Sequence, residues 1–252
     1  MKTLFKIFSF FLIISCQTFS QQYSPGSPEW LVDMFFVKSS FSEKANYYSG
    51  EMLNFANDKT IGEELAGKAN VSFHQIKNAE LEAVYKIEVV HNEKVIDFYC
   101  FLSEHDDKWT INAVRRFLLP SFIYTVRDSL SHLSTLSSKD STLFHTLKLF
   151  TASDEELMIY IDTNLKNLKE LVSAFNENIK DKIDKSIAQV GCNAIYADAK
   201  YPGCVFIQIH RFENMECGFI SKTESASLPD ISIKDYIYLE EAVPNWYIYR
   251  TM

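Results

Sequence analysis

The sequence predicts an α+β fold of two units, each with helices leading into an antiparallel β-meander. Three observations carry that expectation. Strong helix starts open both halves, at Ser27-Pro28-Glu29 and at Ser153-Asp154-Glu155-Glu156. Runs of period-2 alternation follow each set of helices. A serine-dense stretch from Ser129 to Ser141 separates the two sets, placing a boundary near 137–152.

Composition limits the function classes. The chain has 252 residues, 47% hydrophobic, 14% aromatic and 23% charged, proportions that suit a folded chain. Seven Gly and six Pro are too few for propellers, collagen-like repeats or glycine-rich nucleotide loops. The net charge of −8 repels phosphate backbones and anionic headgroups, so nucleic acid is not an expected partner.

Residues 1–20 read as an export signal. Lys2 and Lys6 precede the short apolar run Ile7–Ile14. Two processing routes are compatible with it. Thr18-Phe19-Ser20 suits plain cleavage before Gln21, and Ile13-Ile14-Ser15-Cys16 suits a lipobox with lipidation of Cys16. Either route places the protein outside the cytoplasm, periplasmic or secreted, with the membrane reached through a lipid anchor alone. Loss of this leader makes the remaining chain two charges more acidic.

In the first unit, residues 26–136, Ser27 caps a helix reaching about Ser39. Shorter helical pieces near 42–56 and 60–67 follow. Strands near 80–91 and 94–104 meet at the Asn92-Glu93 turn. That turn pairs Val89 with Ile96, Ile87 with Phe98, Tyr85 with Cys100 and Ala83 with Leu102. Glu88–Asp97 and Lys86–Tyr99 fall on the outer face. A turn at Asp106-Asp107 adds the strand 108–117, setting Leu102 against Ile111, Cys100 against Ala113, Phe98 against Arg115 and Asp97 against Arg116. Pro120 then opens a helix with Phe122, Val126, Leu130 and Leu133 at helical spacing.

The second unit, residues 153–252, begins with the Ser153/Glu156 capping box. A helix to about Asp162 is followed by another from Asn164, striped by Leu165, Leu168, Val172, Phe175, Ile179 and Ile183 and ended by Gly191. Strands follow near 192–199, 203–212, 216–222, 235–241 and 246–251. Cys192, Cys204 and Cys217 fall on successive strands, out of register with one another, so buried free thiols are expected rather than disulfides.

Residues 26–117, with short helices before a curved sheet closed by Asp107-Lys108-Trp109-Thr110-Ile111-Asn112-Ala113, resemble the nuclear transport factor 2-like α+β cone. That family contains enzymes, ligand binders and interaction modules, so the resemblance implies a fold and no activity. Its enzymatic members place Asp/His acid–base groups inside the cone. The inward face here offers Tyr85, Cys100 and Arg115, a candidate pocket without carboxylate or imidazole. The C-terminal half is similar to exported bacterial proteins of unassigned activity.

No catalytic motif, cofactor fingerprint or metal-ligand spacing stands out. The most suggestive pattern is aromatic. A turn near Val243-Pro244 sets Tyr238 opposite Tyr249 and Glu240 opposite Tyr247. Tyr236, Tyr238, Tyr247 and Tyr249 then share one face, suited to an envelope protein or glycan, or to packing beneath a neighbouring element. The expected function is a non-enzymatic binding or interaction module of the cell envelope. A small-molecule or catalytic cone and a structural lipoprotein are the alternatives.

Overall fold

A computed structural model describes residues 23–252. The expected leader and Cys16 lie outside the described residues.

The fold is α+β with two antiparallel sheets. Helix α1 (Pro28–Phe36) starts where Ser27 accepts a hydrogen bond from the Trp30 amide. Two 3₁₀ turns (Lys44–Tyr47 and Gly50–Phe55) and α2 (Ile61–Leu65) follow. The first sheet is β1 (Asn70–Asn78), β2 (Glu82–His91), β3 (Lys94–His105) and β4 (Lys108–Arg115), in that order. The β2–β3 register agrees with every expected pair, because Asn92 and Glu93 both adopt positive φ and make a two-residue turn.

Strand β1 has no counterpart in the sequence reading. Its alternation is broken by a bulge between Gln75 and Lys77, and it lies at a polar sheet edge. A second bulge matters more. Asn112 is an extra residue in β4, so Phe101 rather than Cys100 faces Ala113, and Tyr99 rather than Phe98 faces Arg115. One residue of slip turns a side chain to the other face. Arg115 thereby leaves the expected inward face. It also bonds both oxygens of Glu51 at 2.7 Å and the Ile233 carbonyl at 3.2 Å.

Helices α3 (Ser121–Ser131) and α4 (Ser138–Phe150) come next. The span 137–152, expected as the boundary between the units, is largely α4, which Ser137 caps. Phe122, Val126 and Leu133 are exposed, and Ile123 is the α3 residue that is buried. Helix α5 (Asp154–Asn176) starts with the expected capping box but runs unbroken through Asn164, whose amide bonds the Tyr160 carbonyl one turn back. The break comes later, before α6 (Lys180–Gln189), where Asn178 has positive φ.

The second sheet contains β5 (Ala194–Tyr196), β6 (Cys204–Phe212), β7 (Met215–Lys222), β8 (Tyr236–Val243) and β9 (Trp246–Thr251), ordered β5-β6-β7-β9-β8. All four cysteines among the described residues are buried free thiols.

The first sheet is covered on both faces. Ala83, Tyr85, Ile87, Cys100, Leu102 and Ile111 pack in one cluster with Leu31, Val32, Phe35 and Phe36 of α1. Val84, Tyr99, Phe101 and Ala113, on the other face, join a cluster that continues through α5 and the second sheet. The two halves therefore share a core. The face read from the sequence as outer is an internal seam.

Gly218 in β7 sits opposite Tyr249. A Cβ there would stand 2.3 Å from the Ile207 carbonyl oxygen and 2.9 Å from the tyrosine ring. Backbone on one side and a buried ring on the other leave no room to relax. We expect Gly218→Ala to destabilise the protein by about 2–3 kcal/mol in urea unfolding, with little change in m-value.

Candidate functional site

The seam between the sheets concentrates the buried charge of the molecule. Arg250 of β9 is 3% exposed and Asp154, the first residue of α5, is fully buried. Arg250 Nε donates to Asp154 Oδ1 at 2.7 Å, and its Nη2 donates to the Ala152 carbonyl at 2.8 Å. Its guanidinium lies 4.6 Å from the Phe117 ring centroid. The Tyr99 hydroxyl of β3 donates to the second Asp154 oxygen at 2.8 Å. Both oxygens of the buried carboxylate are thus engaged, as such an ion requires.

Asp97, two residues from Tyr99 on the same face, is less well served. Its Oδ2 accepts from the Asp154 amide at 3.0 Å. Its Oδ1 is buried without a hydrogen bond among the described residues, 3.9 Å from the Lys86 ammonium. Burial first, and the neighbouring Asp154 charge second, push the Asp97 carboxyl up to about 6, against the pull of Arg250 and Lys86.

Lys86 leads into a cleft of about 400 Å³. Its floor is the cross-strand pairs Ser72–Glu88 and His74–Lys86 of β1 and β2. Glu155 and Met158 of α5 and Glu240 of β8 complete the wall. The Lys86 side chain is 8% exposed and makes no hydrogen bond among the described residues. His74 Nε2 meets Glu240 Oε1 at 2.8 Å, and the Tyr238 hydroxyl donates to Glu240 Oε2 at 2.9 Å. Burial alone would raise the Glu240 carboxyl, but the bonds from His74 and Tyr238 and the Lys86 charge hold it below its ordinary value. The Tyr238 ring stacks on Tyr99 at 5.1 Å, joining the cleft to the ion pair.

The sequence-predicted site residues are placed differently from expectation. Tyr236, Tyr238 and Tyr249 are buried. The hairpin turns at Pro244-Asn245, and bulges between Glu241 and Val243 and between Tyr236 and Tyr238 shift the register. Tyr238 consequently faces Arg250, and Leu239 faces Tyr249. Tyr238 turns toward the seam, while Tyr236, Tyr247 and Tyr249 share the opposite face. There the Tyr249 and Tyr196 hydroxyls donate to the buried Glu216. Tyr247, half-buried, donates to Glu241 at 3.1 Å. The four tyrosines do not form one exposed surface.

Tyr85 and Cys100 do sit together on the inward face, without Arg115. Tyr85 donates to Glu29 at 2.7 Å, and burial pushes the Cys100 thiol up. Both are packed within the filled core against α1. Lys86, Asp97, Asp154, His74, Glu240 and Arg250 were missed as a group. A signal was present: the supposed outer face also carries Val84, Val95, Tyr99 and Phe101, too much apolar surface for a solvated face.

Compared with protein-family models, curated proteins and solved structures, the chain matches none.

Replacing one member of the buried pair strands the other. Arg250→Met is expected to cost about 3–5 kcal/mol, and the double change with Asp154→Leu to recover much of it, as measured by chemical denaturation. Asp97 supplies a pH signature. A carboxyl that binds its proton more tightly when folded favours the fold fully below pH 3.8. That contribution is lost as pH rises through about 6. Asp97→Asn keeps an acceptor for the Asp154 amide and lacks this loss. Its stability relative to the parent should be flat below pH 3.8 and rise on the order of 2–3 kcal/mol by pH 7, as read from thermal melts across pH.

Proposed function

We propose that this protein is an exported, non-enzymatic binding module of the cell envelope, and that the cleft between its sheets receives a small polyhydroxylated ligand of glycan type. The observation that carries this reading is Lys86. Its stem is buried, its ammonium makes no hydrogen bond among the described residues and faces Asp97 only at 3.9 Å, and it stands at the floor of a cleft large enough for a small ligand, where it has donors to offer.

The donor and acceptor set favours hydroxyl groups. A sugar hydroxyl accepts from the Lys86 ammonium and donates to a carboxylate with the same oxygen. Glu88, Glu155 and Glu240 supply carboxylates, and Met158 offers an apolar surface for a ring face. An anionic ligand would meet those three acids. The expected export signal is in keeping with an envelope location.

The arrangement speaks against nucleophilic chemistry. Ser72 and His74 lie on one face two residues apart, but no hydrogen bond joins the Ser72 hydroxyl to the imidazole. The Nε2 of His74 turns instead to Glu240, and a serine nucleophile needs its own bond to the base.

Titration calorimetry against a panel of mono- and disaccharides tests the proposal. The parent protein should bind at least one member, Lys86→Met should weaken it about tenfold or more, and Ser72→Trp, which fills the cleft from an exposed edge strand, should abolish it. A panel without a binder, or a binder indifferent to both changes, overturns the reading.

A further inference from the structure

We propose a second, separate ligand site on this protein, for an uncharged amphiphile: an apolar body with a hydrogen-bonding head. It is a cavity of about 350 Å³ at the other end of the seam, between the first sheet and the segment 230–234 that leads into β8. It does not rest on the polar cleft, with which it shares no lining residue.

The walls set the body of the ligand. Val84 of β2 and Phe101 of β3 form the sheet side, and Ile231 and Ile233 form the opposite side. Asn112, the extra residue of the β4 bulge, stands at the margin, where the ladder is interrupted. Such a mixture of apolar walls and few polar groups is typical of small-molecule sites.

The charges at the rim exclude an ionic head. Lys77 donates to Glu82 at 2.8 Å, to Asp230 at 3.2 Å and to the Ile231 carbonyl at 3.1 Å. All three of its ammonium donors are engaged. Lys77 and Lys234 are balanced by Glu82 and Asp230 along the same lining, so the cavity carries no net charge for an anion or a cation to answer.

Ser103 supplies the polar contact. It follows Phe101 on the same face of β3 and is 9% exposed, and its hydroxyl is buried without a hydrogen-bond partner among the described residues. A buried hydroxyl left unpaired weakens a fold, and a strand residue there could be Ala or Val at no such cost. A ligand head carrying a hydroxyl or amine would give it the missing bond.

The test uses N-phenyl-1-naphthylamine, an uncharged arylamine whose fluorescence rises in apolar surroundings, with the full chain. We expect saturable one-to-one binding to the parent protein. Ile233→Trp, which fills the cavity from a half-buried surface segment, should abolish it. Ser103→Ala should weaken it about fivefold while leaving the unfolding midpoint unchanged or higher, an outcome that a merely structural serine would not give. Lys86→Met should bind the probe as the parent does, which separates this site from the polar cleft. Absence of saturable binding, or unchanged binding in Ile233→Trp with native circular dichroism, overturns the proposal. Unchanged affinity in Ser103→Ala overturns the role of the hydroxyl.

Discussion

The contact between Arg250 and Asp154 is the constraint on which the rest of the arrangement depends. A buried guanidinium and a buried carboxylate tolerate few geometries, because each needs its remaining hydrogen-bonding capacity met. Arg250 fixes β9 against the carbonyl at the end of the α4–α5 connection. Asp154 fixes the first turn of α5 against β3 through Tyr99. With those three elements held, Tyr238 lies on Tyr99, and Glu240 comes within reach of His74. The polar cleft is thus a consequence of how the ion pair orients two sheets. A hydrophobic pair could bring the same layers together with less directional control.

Much of this was legible in the sequence, and the illegible part has a common cause. The β2–β3 register was readable because a two-residue turn fixes it and alternation is uninterrupted. Capping boxes were readable because they are local, as at Ser153 and Glu156. Bulges were not. One residue at Asn112 turned Arg115 out of the inward face, and two more in β8 separated Tyr238 from Tyr236 and Tyr249. A bulge is stabilised by what packs around it, and period-2 counting carries no trace of that. Asn164 misled in the opposite sense: a turn-favouring residue sits inside α5 because its side chain finds a carbonyl one turn back.

The site was harder to read than the fold because its residues have ordinary local explanations. Lys86, Glu88 and Asp97 look like a solvated sheet face, Asp154 like an acidic first turn, and Arg250 like the end of an aromatic strand. What joins them is separation in sequence: Asp97 and Asp154 are 57 residues apart, and Asp154 and Arg250 are 96 apart. Pattern reading works within a window, and this cluster exists in no window.

That separation has a kinetic side. Contacts between distant segments form only after long loops have closed, which slows folding. The first sheet is built of consecutive hairpins, whose pairings are local, whereas the contacts that cover it span long stretches of chain. Left uncovered, Val84, Val95, Tyr99 and Phe101 would present an aggregation-prone face. Lys86, Glu88 and Asp97 interrupt that face with charge, as gatekeeper residues do. Asp97, whose burial raises its carboxyl to about 6 in the finished interior, would on an uncovered sheet be a charge that opposes aggregation.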